Sequence, residues 1–435
     1  MHFLTLIKGS TLERYMLRKV IAITLLLMAM LIQGCQEHEF NAELAWAELT
    51  QTLADDYAYL DRANFDLKAV QSQFNKRALN ATSKQEFADI SQAFLRHFND
   101  PHLNLGPYNE NDYIVFPTGS DIRAILSPNN ASEFIVEDVK ANSAADNAGI
   151  LPGMVIESIE GESIEQAITH IYLRPFDELT DEQKVYGVNI ALGGYRNQAR
   201  TIQLSLNGEV KGYQLADTYS VINQYREKSP VSHKTVEGFA YIRFNNSLGN
   251  SDTPTAFKKA LQQYEQSKGL IIDLRNTPSG GNTSVAEPIL GHFVNQKQAY
   301  QLYRTQHKGL MYHKAELNHA YVKPNAPYYD KPFIVLAGRW TGSMGEGMTI
   351  GFDAIGANAI VGAPMADLLG GIKTKKLTFS DTWLEVAFER LYHVDGTFRE
   401  DFEPNVLVVP ADKSSQGNDP ALDAALALLK SKIDN

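Results

Sequence analysis

Two short segments of the chain carry residue types that could perform nucleophilic acyl transfer. Residues 269–282 read GLIIDLRNTPSGGN, a buried-strand pattern followed by a turn with two adjacent glycines. Such a turn presents bare backbone N–H groups, which can form an oxyanion hole. Residues 335–346 read VLAGRWTGSMGE and place Ser343 where a strand pattern gives way to a helix pattern. There the hydroxyl is exposed and the helix N-terminus favours developing negative charge. The pair predicts a nucleophile that faces an oxyanion hole.

Each segment alone also fits a purely structural role. Glycines permit the positive φ angles of a turn, and a serine at a helix start is commonly an N-cap. The chemical interpretation therefore requires two loops more than sixty residues apart to meet.

Alternating strand and helix patterns predict an α/β domain over residues 236–435. A final helix follows Asp419 as N-cap, with Pro420 at its first position. The predicted strands of this domain cover 239–244, 269–274, 332–337 and 359–362.

Together the two segments resemble the tail-specific, or carboxy-terminal processing, serine protease family. The family's strand-Asp-Leu-Arg-Asn-x-Pro-Gly-Gly turn is similar to residues 270–281 with Ser279 inserted, and its Arg-x-(Thr/Ser)-Ala-Ser-x-Ser-Glu segment is similar to residues 339–346. The resemblance implies a crotonase-like α/β core of ββα repeats and a serine endopeptidase that hydrolyses extended or unfolded polypeptides without a cofactor or metal. It implies Ser343 as the nucleophile, with the N–H groups of Met344 and of Gly280 or Gly281 as oxyanion donors.

A histidine and a lysine are both candidates for the base that activates Ser343. Family members with a serine–lysine dyad carry Phe-Gly-Lys-Gly after the third core strand, but residues 362–371 hold no lysine and Lys373 follows as the alternative base. The branch that resembles the tricorn protease core uses a histidine after the helical cap, where Asp-Pro-His ends at His102. Pro101 stands where that branch has a serine. A neutral imidazole accepts a proton near pH 7 without the desolvation that a lysine needs, so His102 is the predicted base.

An acidic stretch supplies candidates for the carboxylate that would orient this imidazole. The family has an acidic residue shortly before a Pro-Asp pair, where residues 399–405 read REDFEPN. Glu400 is the first candidate and Asp401 the second. Such a carboxylate would stabilise the imidazolium cation.

The sequence between the N-terminus and the α/β domain predicts three further parts. Residues 35–110 show helical spacing and predict an N-terminal helical cap. Residues 111–170 read as short strands, and 141–161 resembles a PDZ motif, whose modules bind extended peptides by strand addition. Nothing over 116–126 reads as the carboxylate-binding loop of such modules. Residues 171–235 are interpreted as a connector.

The N-terminus has the pattern of a bacterial lipoprotein signal peptide over residues 1–34. Two basic residues precede an apolar run over 20–32, which is too short to span a bilayer as a helix. Gly34 then precedes Cys35, the only cysteine of the chain. This pattern resembles a lipobox, in which the cysteine is acylated, for example with palmitate. We therefore expect a lipid-anchored protein of the bacterial cell envelope, on the outer membrane facing the periplasm.

Composition and spacing argue against several other classes of protein. The chain has 435 residues, 44% of them hydrophobic and 21% charged, as is typical of folded domains. Its 40 basic and 51 acidic residues give a net charge of −11, which disfavours nucleic acid as the main partner. Thr341 stands where the nucleophile elbow of an α/β-hydrolase needs glycine, and no His-Glu-x-x-His motif suggests a metallohydrolase.

One alternative function stays open beside the protease. The same core resembles interphotoreceptor retinoid-binding protein, which implies a catalytically silent, lipid-anchored protein that binds peptides or apolar ligands. The sequence gives no oligomeric state.

Overall fold

The computed structural model of the chain describes residues 40–224, 229–307 and 312–434. The predicted signal peptide and Cys35 lie outside the described residues. Within the unit that begins at Ala42, helices and three sheets alternate along the described chain. The α-helices are α1 (Ala42–Asp56), α2 (Leu67–Leu79), α3 (Lys84–Leu95), α4 (Ala144–Asn147), α5 (Ile164–Tyr172), α6 (Asp181–Gly193), α7 (Thr218–Gln224), α8 (Thr253–Gln263), α9 (Thr283–Leu290), α10 (Met344–Ala354) and α11 (Pro420–Asp434).

The first three helices form the predicted N-terminal helical layer. Their apolar side chains recur at helical spacing and interlock, as where Phe94 contacts the rings of Trp46 and Phe74. Ser83 is the N-cap of helix α3, and its Oγ accepts from the Glu86 N–H at 3.1 Å. The chain leaves this layer through a short 3-10 turn that ends at Phe98, immediately before the segment of His102.

A five-stranded antiparallel sheet follows, with strands in sequential order. It contains β2 (Ile122–Ser127), β3 (Asn130–Val139), β4 (Val155–Ile159), β5 (Arg200–Leu206) and β6 (Glu209–Leu215). We call the part from Ile122 to Leu215 the β-rich domain. Its core combines the inner faces of these strands with apolar positions of α5 and α6.

The boundary predicted at residue 170 differs from this arrangement. Strands β5 and β6 and helix α6 lie in the stretch that was interpreted as a connector, and they complete the sheet and core of the β-rich domain. Ile202 and Leu204 of β5 are buried, whereas Thr201 and Gln203 between them face solvent. A strand that is buried on one face requires apolar residues only at alternate positions. The polar residues between them account for the interpretation of this stretch as a connector.

The predicted α/β domain contains a six-stranded sheet in the order β16-β13-β12-β9-β8-β7. From β8 to β16 neighbouring strands are parallel, and only β7 runs antiparallel to its neighbour. The predicted strands are confirmed as β8, β9, β12 and β13. The strands of this sheet are β7 (Val231–Val236), β8 (Phe239–Phe244), β9 (Leu270–Asp273), β12 (Phe333–Ala337), β13 (Ala359–Gly362) and β16 (Val406–Leu407).

A second antiparallel sheet, which the sequence did not predict, joins the helical layer to this domain. Its strands are β1 (Asn104–Gly106), β10 (Gln298–Thr305), β11 (Asn318–Val322), β14 (Gly371–Leu377) and β15 (Thr382–Tyr392). The long strand β15 pairs with β1, β10 and β14. Because β1 begins two residues after His102, this pairing carries the predicted base towards the α/β domain.

Among the described residues, no helix combines the length and the apolar character needed to cross a membrane.

Candidate active site

The two candidate loops meet at one edge of the parallel sheet. Strands β9 and β12 are parallel neighbours, with Asp273 opposite Leu336, so the loops that follow them leave the sheet side by side. The Thr277 N–H donates to the Trp340 carbonyl at 3.1 Å, and the Gly342 N–H donates to the Thr277 carbonyl at 3.3 Å. These bonds extend the parallel pairing beyond the strands and fix the double-glycine turn against the segment of Ser343.

Gly280 lies directly against the candidate nucleophile. A Cβ atom built on Gly280 would lie 2.4 Å from Ser343 Cβ, 2.8 Å from Ser343 Oγ and 3.0 Å from the Met344 backbone nitrogen. Its φ of 61° is in the left-handed region, which also favours glycine. The structure thus brings together the hydroxyl and the double-glycine turn, as the chemical interpretation requires.

Two backbone N–H groups at this place have no acceptor among the described residues: those of Gly281 and Met344. The Gly280 N–H, in contrast, donates to the Thr277 carbonyl at 3.0 Å within the turn. Of the two glycines proposed as oxyanion donors, the geometry therefore favours Gly281. Gly281 is itself tightly fixed, since a Cβ atom there would lie 2.1 Å from the Leu248 carbonyl carbon.

Ser343 has a strained backbone, with φ 52° and ψ −110°. A non-glycine residue in such a sparsely populated region costs about 1–3 kcal/mol and persists only where its surroundings enforce it. The Ser343 N–H donates to Glu346 Oε2 at 2.6 Å. Its carbonyl accepts from the Gly347 N–H at 3.0 Å and from Arg399 Nη1 at 3.3 Å. The strain sets the direction of the side chain at the start of α10.

Glu346 is fully buried beneath the nucleophile. Burial raises the pKa of Glu346 to about 8, and the nearby Arg399 guanidinium acts in the opposite direction. The nearest approach of the two side chains is 3.5 Å, from Arg399 Nη2 to Glu346 Oε2. Glu346 Oε1 has no hydrogen-bond partner among the described residues. A neutral carboxyl at pH 7 can still accept from the Ser343 N–H.

His102 is buried, and the hydrogen bonds around it define its tautomer. Its Nδ1 lies 2.8 Å from the Leu369 carbonyl oxygen, which can only accept, so Nδ1 carries the proton. Nε2 then bears the free lone pair that a general base needs. Burial, with a contribution from Arg399, lowers the pKa of His102 to about 3 and keeps the imidazole neutral.

Asp100 fixes the turn that carries His102. Its Oδ1 accepts from the His102 N–H at 2.8 Å and from the Leu369 N–H at 3.3 Å. Its Oδ2 accepts from the Tyr57 hydroxyl at 3.1 Å. Asp100 therefore connects the segment of His102 to the residue whose carbonyl orients the imidazole.

Arg399 connects the nucleophile to this same region. Besides the Ser343 carbonyl, it donates through Nη2 to the carbonyls of Leu368 and Gly370, the latter at 3.2 Å. The imidazole of His102 and the nucleophile are thus both attached to the 368–370 turn. No hydrogen bond joins His102 to Ser343 Oγ in the described parts of the chain. Such bonds often form only with substrate bound, so the role of His102 stays a prediction.

Comparison with known proteins identifies the α/β part of the chain. Residues 238–408 match the model of peptidase family S41. The chain carries an S41 peptidase domain. This is a serine-type peptidase domain, and the matched residues include Ser343 and both glycines of the turn. No match is found among curated protein sequences.

Solved structures show the same fold over most of the chain. A photosystem II D1 C-terminal processing protease is 15% identical, with 90% of this chain and 98% of that chain covered and a TM-score of 0.56. Mature CPAF complexed with lactacystin is 13% identical, with 90% and 97% covered and a TM-score of 0.60. A putative peptidase from Parabacteroides merdae is 13% identical, with 90% and 97% covered and a TM-score of 0.55. The chain therefore has the mixed helix-and-sheet fold of S41 proteases.

Lys373, the alternative base, is engaged elsewhere in the S41 domain. It lies on β14, and its Nζ forms an ion pair with Asp56 Oδ1 of α1 at 2.6 Å. Burial acts to raise the pKa of Asp56, but Lys373 and Lys375 lower it. The ammonium group of Lys373 is therefore bound to helix α1 of the helical layer. No contact links Lys373 to Ser343 among the residues that the structure describes.

The two candidate carboxylates both pair with Arg62 of the helical layer. Glu400 Oε1 accepts from Arg62 Nη1, and Asp401 Oδ1 lies 3.2 Å from Arg62 Nη2. Glu400 Oε2 is buried and has no partner in the described structure. Neither carboxylate is hydrogen-bonded to His102, because the Leu369 carbonyl occupies its Nδ1. Their predicted role as the orienting acid is not seen in this geometry, in which a backbone carbonyl orients the ring.

A cavity of about 730 Å³ opens beside the double-glycine turn. Gly280 and Gly281 line one end, and residues of the β-rich domain, such as Lys140, line another part. The β-rich domain is held against the nucleophile loop by Arg339, whose guanidinium donates to both Glu137 oxygens at 2.6 and 2.7 Å. The site therefore has a substrate-sized space that two parts of the fold enclose together.

Three site residues were given no role by the sequence reasoning: Asp100, Glu346 and Arg399. Glu346 has a local signal, since it follows Ser343 at the spacing of a capping box. Asp100 and Arg399 lie in the quoted motifs, but only the folded chain reveals which carbonyls and N–H groups they contact. Among the described residues, no group of three or more His, Cys, Asp and Glu side chains is arranged to hold a metal ion.

Proposed function

We propose that this protein is a serine endopeptidase that hydrolyses extended or unfolded polypeptides by acyl transfer through Ser343. The close approach of Gly280 to Ser343 and Met344, which leaves no room for a Cβ atom, carries this proposal, because it brings the nucleophile and the candidate oxyanion donors together. The S41 match and the cavity beside the turn support it.

The reaction follows from the roles of three groups. His102 Nε2 accepts the hydroxyl proton while Ser343 Oγ attacks the scissile carbonyl, and the N–H groups of Gly281 and Met344 stabilise the resulting oxyanion. The tetrahedral intermediate then expels the amine, which takes the proton from His102. Water, activated by the same imidazole, hydrolyses the acyl-enzyme. Burial disfavours the imidazolium, but the oxyanion that forms at the same time compensates its charge.

An extended substrate suits this site because the scissile carbonyl must be aligned between the nucleophile and the oxyanion donors. We further propose that the S41 domain has a crotonase-like core and that the β-rich domain is a PDZ-like module that guides the polypeptide. Because we prefer His102 to Lys373 as the base, we propose that the protein is more similar to the branch of the family that resembles the tricorn protease core.

The envelope location also belongs to this proposal. Cys35 would be acylated after signal cleavage and would tether the protease to the outer membrane, facing the periplasm. Incorporation of labelled palmitate into the wild-type chain, with loss in Cys35→Ser, would support it. Equal labelling of the two proteins would exclude Cys35 as the lipid site.

A fluorophosphonate probe tests the catalytic proposal. We expect labelling of the wild type, and loss of labelling in Ser343→Ala and in His102→Ala. Ser279→Ala is the matched control, because Ser279 lines the same cavity but its Oγ accepts from Asn246 Nδ2 at 2.8 Å. Lys373→Met should also label normally.

Two results would contradict the proposal. Loss of labelling in Lys373→Met but not in His102→Ala would make the lysine the base. A wild-type protein that neither reacts with the probe nor hydrolyses unfolded casein, yet binds peptides, would be the catalytically silent binding protein.

A further inference from the structure

The charged side chains described in the lining of the cavity beside the double-glycine turn all have the same sign. The walls of the cavity are mostly uncharged polar groups, many of them asparagine and serine side chains. Among the residues that the structure describes, two charged side chains line it, Lys140 of the β-rich domain and Arg243 at the end of β8, and both are cations. A cavity with this lining attracts an anionic group and repels a cationic one.

Neither cation is paired within the described structure. Lys140 is only 7% exposed, yet no hydrogen bond or ion pair engages its ammonium group among the described residues. Burial lowers the pKa of Lys140 to about 8, so most of it remains charged at pH 7. The guanidinium of Arg243, which is partly exposed, likewise makes no hydrogen bond or ion pair in the described parts of the chain, and it acts only at a distance on Asp273, whose pKa is raised by burial and lowered by Arg275 and Arg243. A buried cation without a counter-charge is costly.

Two carboxylates, Asp121 and Asp412, act on Lys140 electrostatically, but neither forms a hydrogen bond or ion pair with it in the described structure. Asp121 forms an ion pair with Arg200 and accepts from the Ala145 N–H at 3.0 Å. Asp412 lies 3.8 Å from Arg275. Both act on the pKa of Lys140 at a distance without bonding to it. The donors that face the cavity therefore remain available to a ligand.

We propose that Lys140 and Arg243 form a subsite that binds a carboxylate of the polypeptide substrate. This inference rests on the proposed function, because the same cavity is lined by the glycines that contact Ser343. A carboxylate is the anion that a polypeptide itself carries, either as an Asp or Glu side chain or as the C-terminal group. Two donors on separate walls can bind its two oxygens with charge-assisted hydrogen bonds.

The size of the cavity limits where this carboxylate lies in the substrate. The double-glycine turn, Lys140 and Arg243 line the same cavity of about 730 Å³. The subsite therefore selects a carboxylate in the part of the substrate that occupies this cavity together with the scissile bond.

Peptide binding to a Ser343→Ala protein tests this subsite without turnover. Three fluorescein-labelled mixtures of random pentapeptides serve as probes: central Glu with a C-terminal amide, central Gln with a C-terminal amide, and central Gln with a free C-terminus. Fluorescence anisotropy gives the affinity of each. We expect at least one carboxylate-bearing mixture to bind about tenfold more tightly than the neutral one. The mixture that gains affinity identifies a side chain or the C-terminus as the source.

Removal of the cations should remove this preference. In the Ser343→Ala background, Lys140→Met together with Arg243→Gln should bind all three mixtures with similar affinity. Should the double variant fail to fold, Arg243→Gln alone is expected to lose part of the preference. Lys211→Met together with Lys297→Met, which removes two cations outside this cavity, is the matched control and should retain it.

Equal affinities of the three mixtures for the Ser343→Ala protein would overturn the proposal. An unchanged preference after loss of both cations would also overturn it. Failure of the peptidase proposal is recognised separately, as a wild-type protein that does not react with the fluorophosphonate probe while the carboxylate preference in binding persists.

Discussion

Substitution of Gly280 by alanine tests the geometry on which the catalytic proposal depends. The added methyl group would lie 2.4 Å from Ser343 Cβ and 2.8 Å from Ser343 Oγ. Both distances are far below van der Waals contact. The atoms that must give way belong to the nucleophile and to the Met344 N–H, so the new group invades the space that the scissile carbonyl would occupy.

This substitution should affect both the stability and the catalytic rate, and the expected magnitudes of the two effects differ. Left-handed backbone at an alanine costs about 1–2 kcal/mol, and overpacking in a well-packed place adds about 1–3 kcal/mol. The protein should therefore be less stable but folded. Loss of one oxyanion donor alone lowers kcat by about 100- to 1,000-fold. We expect kcat/KM to fall by at least about 100-fold, because the methyl group of Gly280→Ala would lie 3.0 Å from the Met344 nitrogen, where it blocks one proposed donor, and would also displace Ser343.

The assay is hydrolysis of unfolded, fluorescently labelled casein, together with the rate of fluorophosphonate labelling. Gly208→Ala is the matched control, because Gly208 has a φ of 83° in the turn between β5 and β6 and a Cβ atom there meets nothing within 4 Å. It should share the backbone strain and retain full activity. If Gly280→Ala labels within about twofold of the control, the turn does not border the reacting atoms and the reasoning is wrong.

Three further predictions concern the residues that hold the site together. The folded-state pKa of Glu346 is about 8, above its ordinary value of 4.5, so the folded protein binds the extra proton and stability falls as the pH rises between these values. The unfolding free energy of the wild type minus that of Glu346→Gln should therefore fall by up to about 5 kcal/mol from pH 4.5 to 8. Denaturant titrations at several pH values measure this difference, and a difference that does not change with pH would contradict the prediction. Arg399→Lys cannot reproduce the planar fork that joins the 368–370 turn to the nucleophile, so probe labelling should slow by about tenfold or more with the circular dichroism unchanged; an unaltered rate would exclude this role. Asp100→Ala removes the oxygens that accept from the His102 N–H, the Leu369 N–H and the Tyr57 hydroxyl, and should lower both stability, by about 1–3 kcal/mol, and the labelling rate; a loss of stability alone would make Asp100 structural only.

The strands of the parallel sheet could be predicted because each is a continuous apolar run. Strand β12, for example, is buried along its whole length from Phe333 to Ala337, and such a run needs no tertiary information to be recognised. The glycine turn after β9 was visible for the same reason, since it follows a buried strand and contains residues that are typical of turns. Local chemistry was therefore enough for these elements.

The antiparallel strands were harder to predict because their sequences alternate only weakly between apolar and polar residues. These segments become strands through pairing with their neighbours. In β14 the residues from Gly371 to Lys376 alternate between half-buried and exposed, and only Leu377 is buried, so a lysine-rich stretch becomes a strand through its register with β15. Strand β6 is similar, with Tyr213 and Leu215 as its buried residues. Context rather than intrinsic preference decides such segments.

The partners within the candidate site also depend on tertiary structure. The sequence placed an acidic residue beside the imidazole, whereas the structure places the Leu369 carbonyl at Nδ1 of His102 and directs Glu400 to Arg62. The choice between these acceptors depends on which turn reaches the ring, and that turn is held by the side chains of Asp100 and Arg399. No local pattern encodes a contact between segments more than 260 residues apart.

The residues of the proposed site do not all belong to the S41 domain. The matched residues 238–408 contain the nucleophile, the glycine turn, Glu346 and Arg399. His102, however, precedes this segment, and β1 brings it there by pairing with β15. Lys140 of the proposed subsite also precedes it and belongs to the β-rich domain. A chain that began at residue 238 would keep the serine and the proposed oxyanion donors but would lack both the predicted base and one of the two cations, so the proposed catalysis and selectivity would require the earlier domains to be folded against the S41 domain.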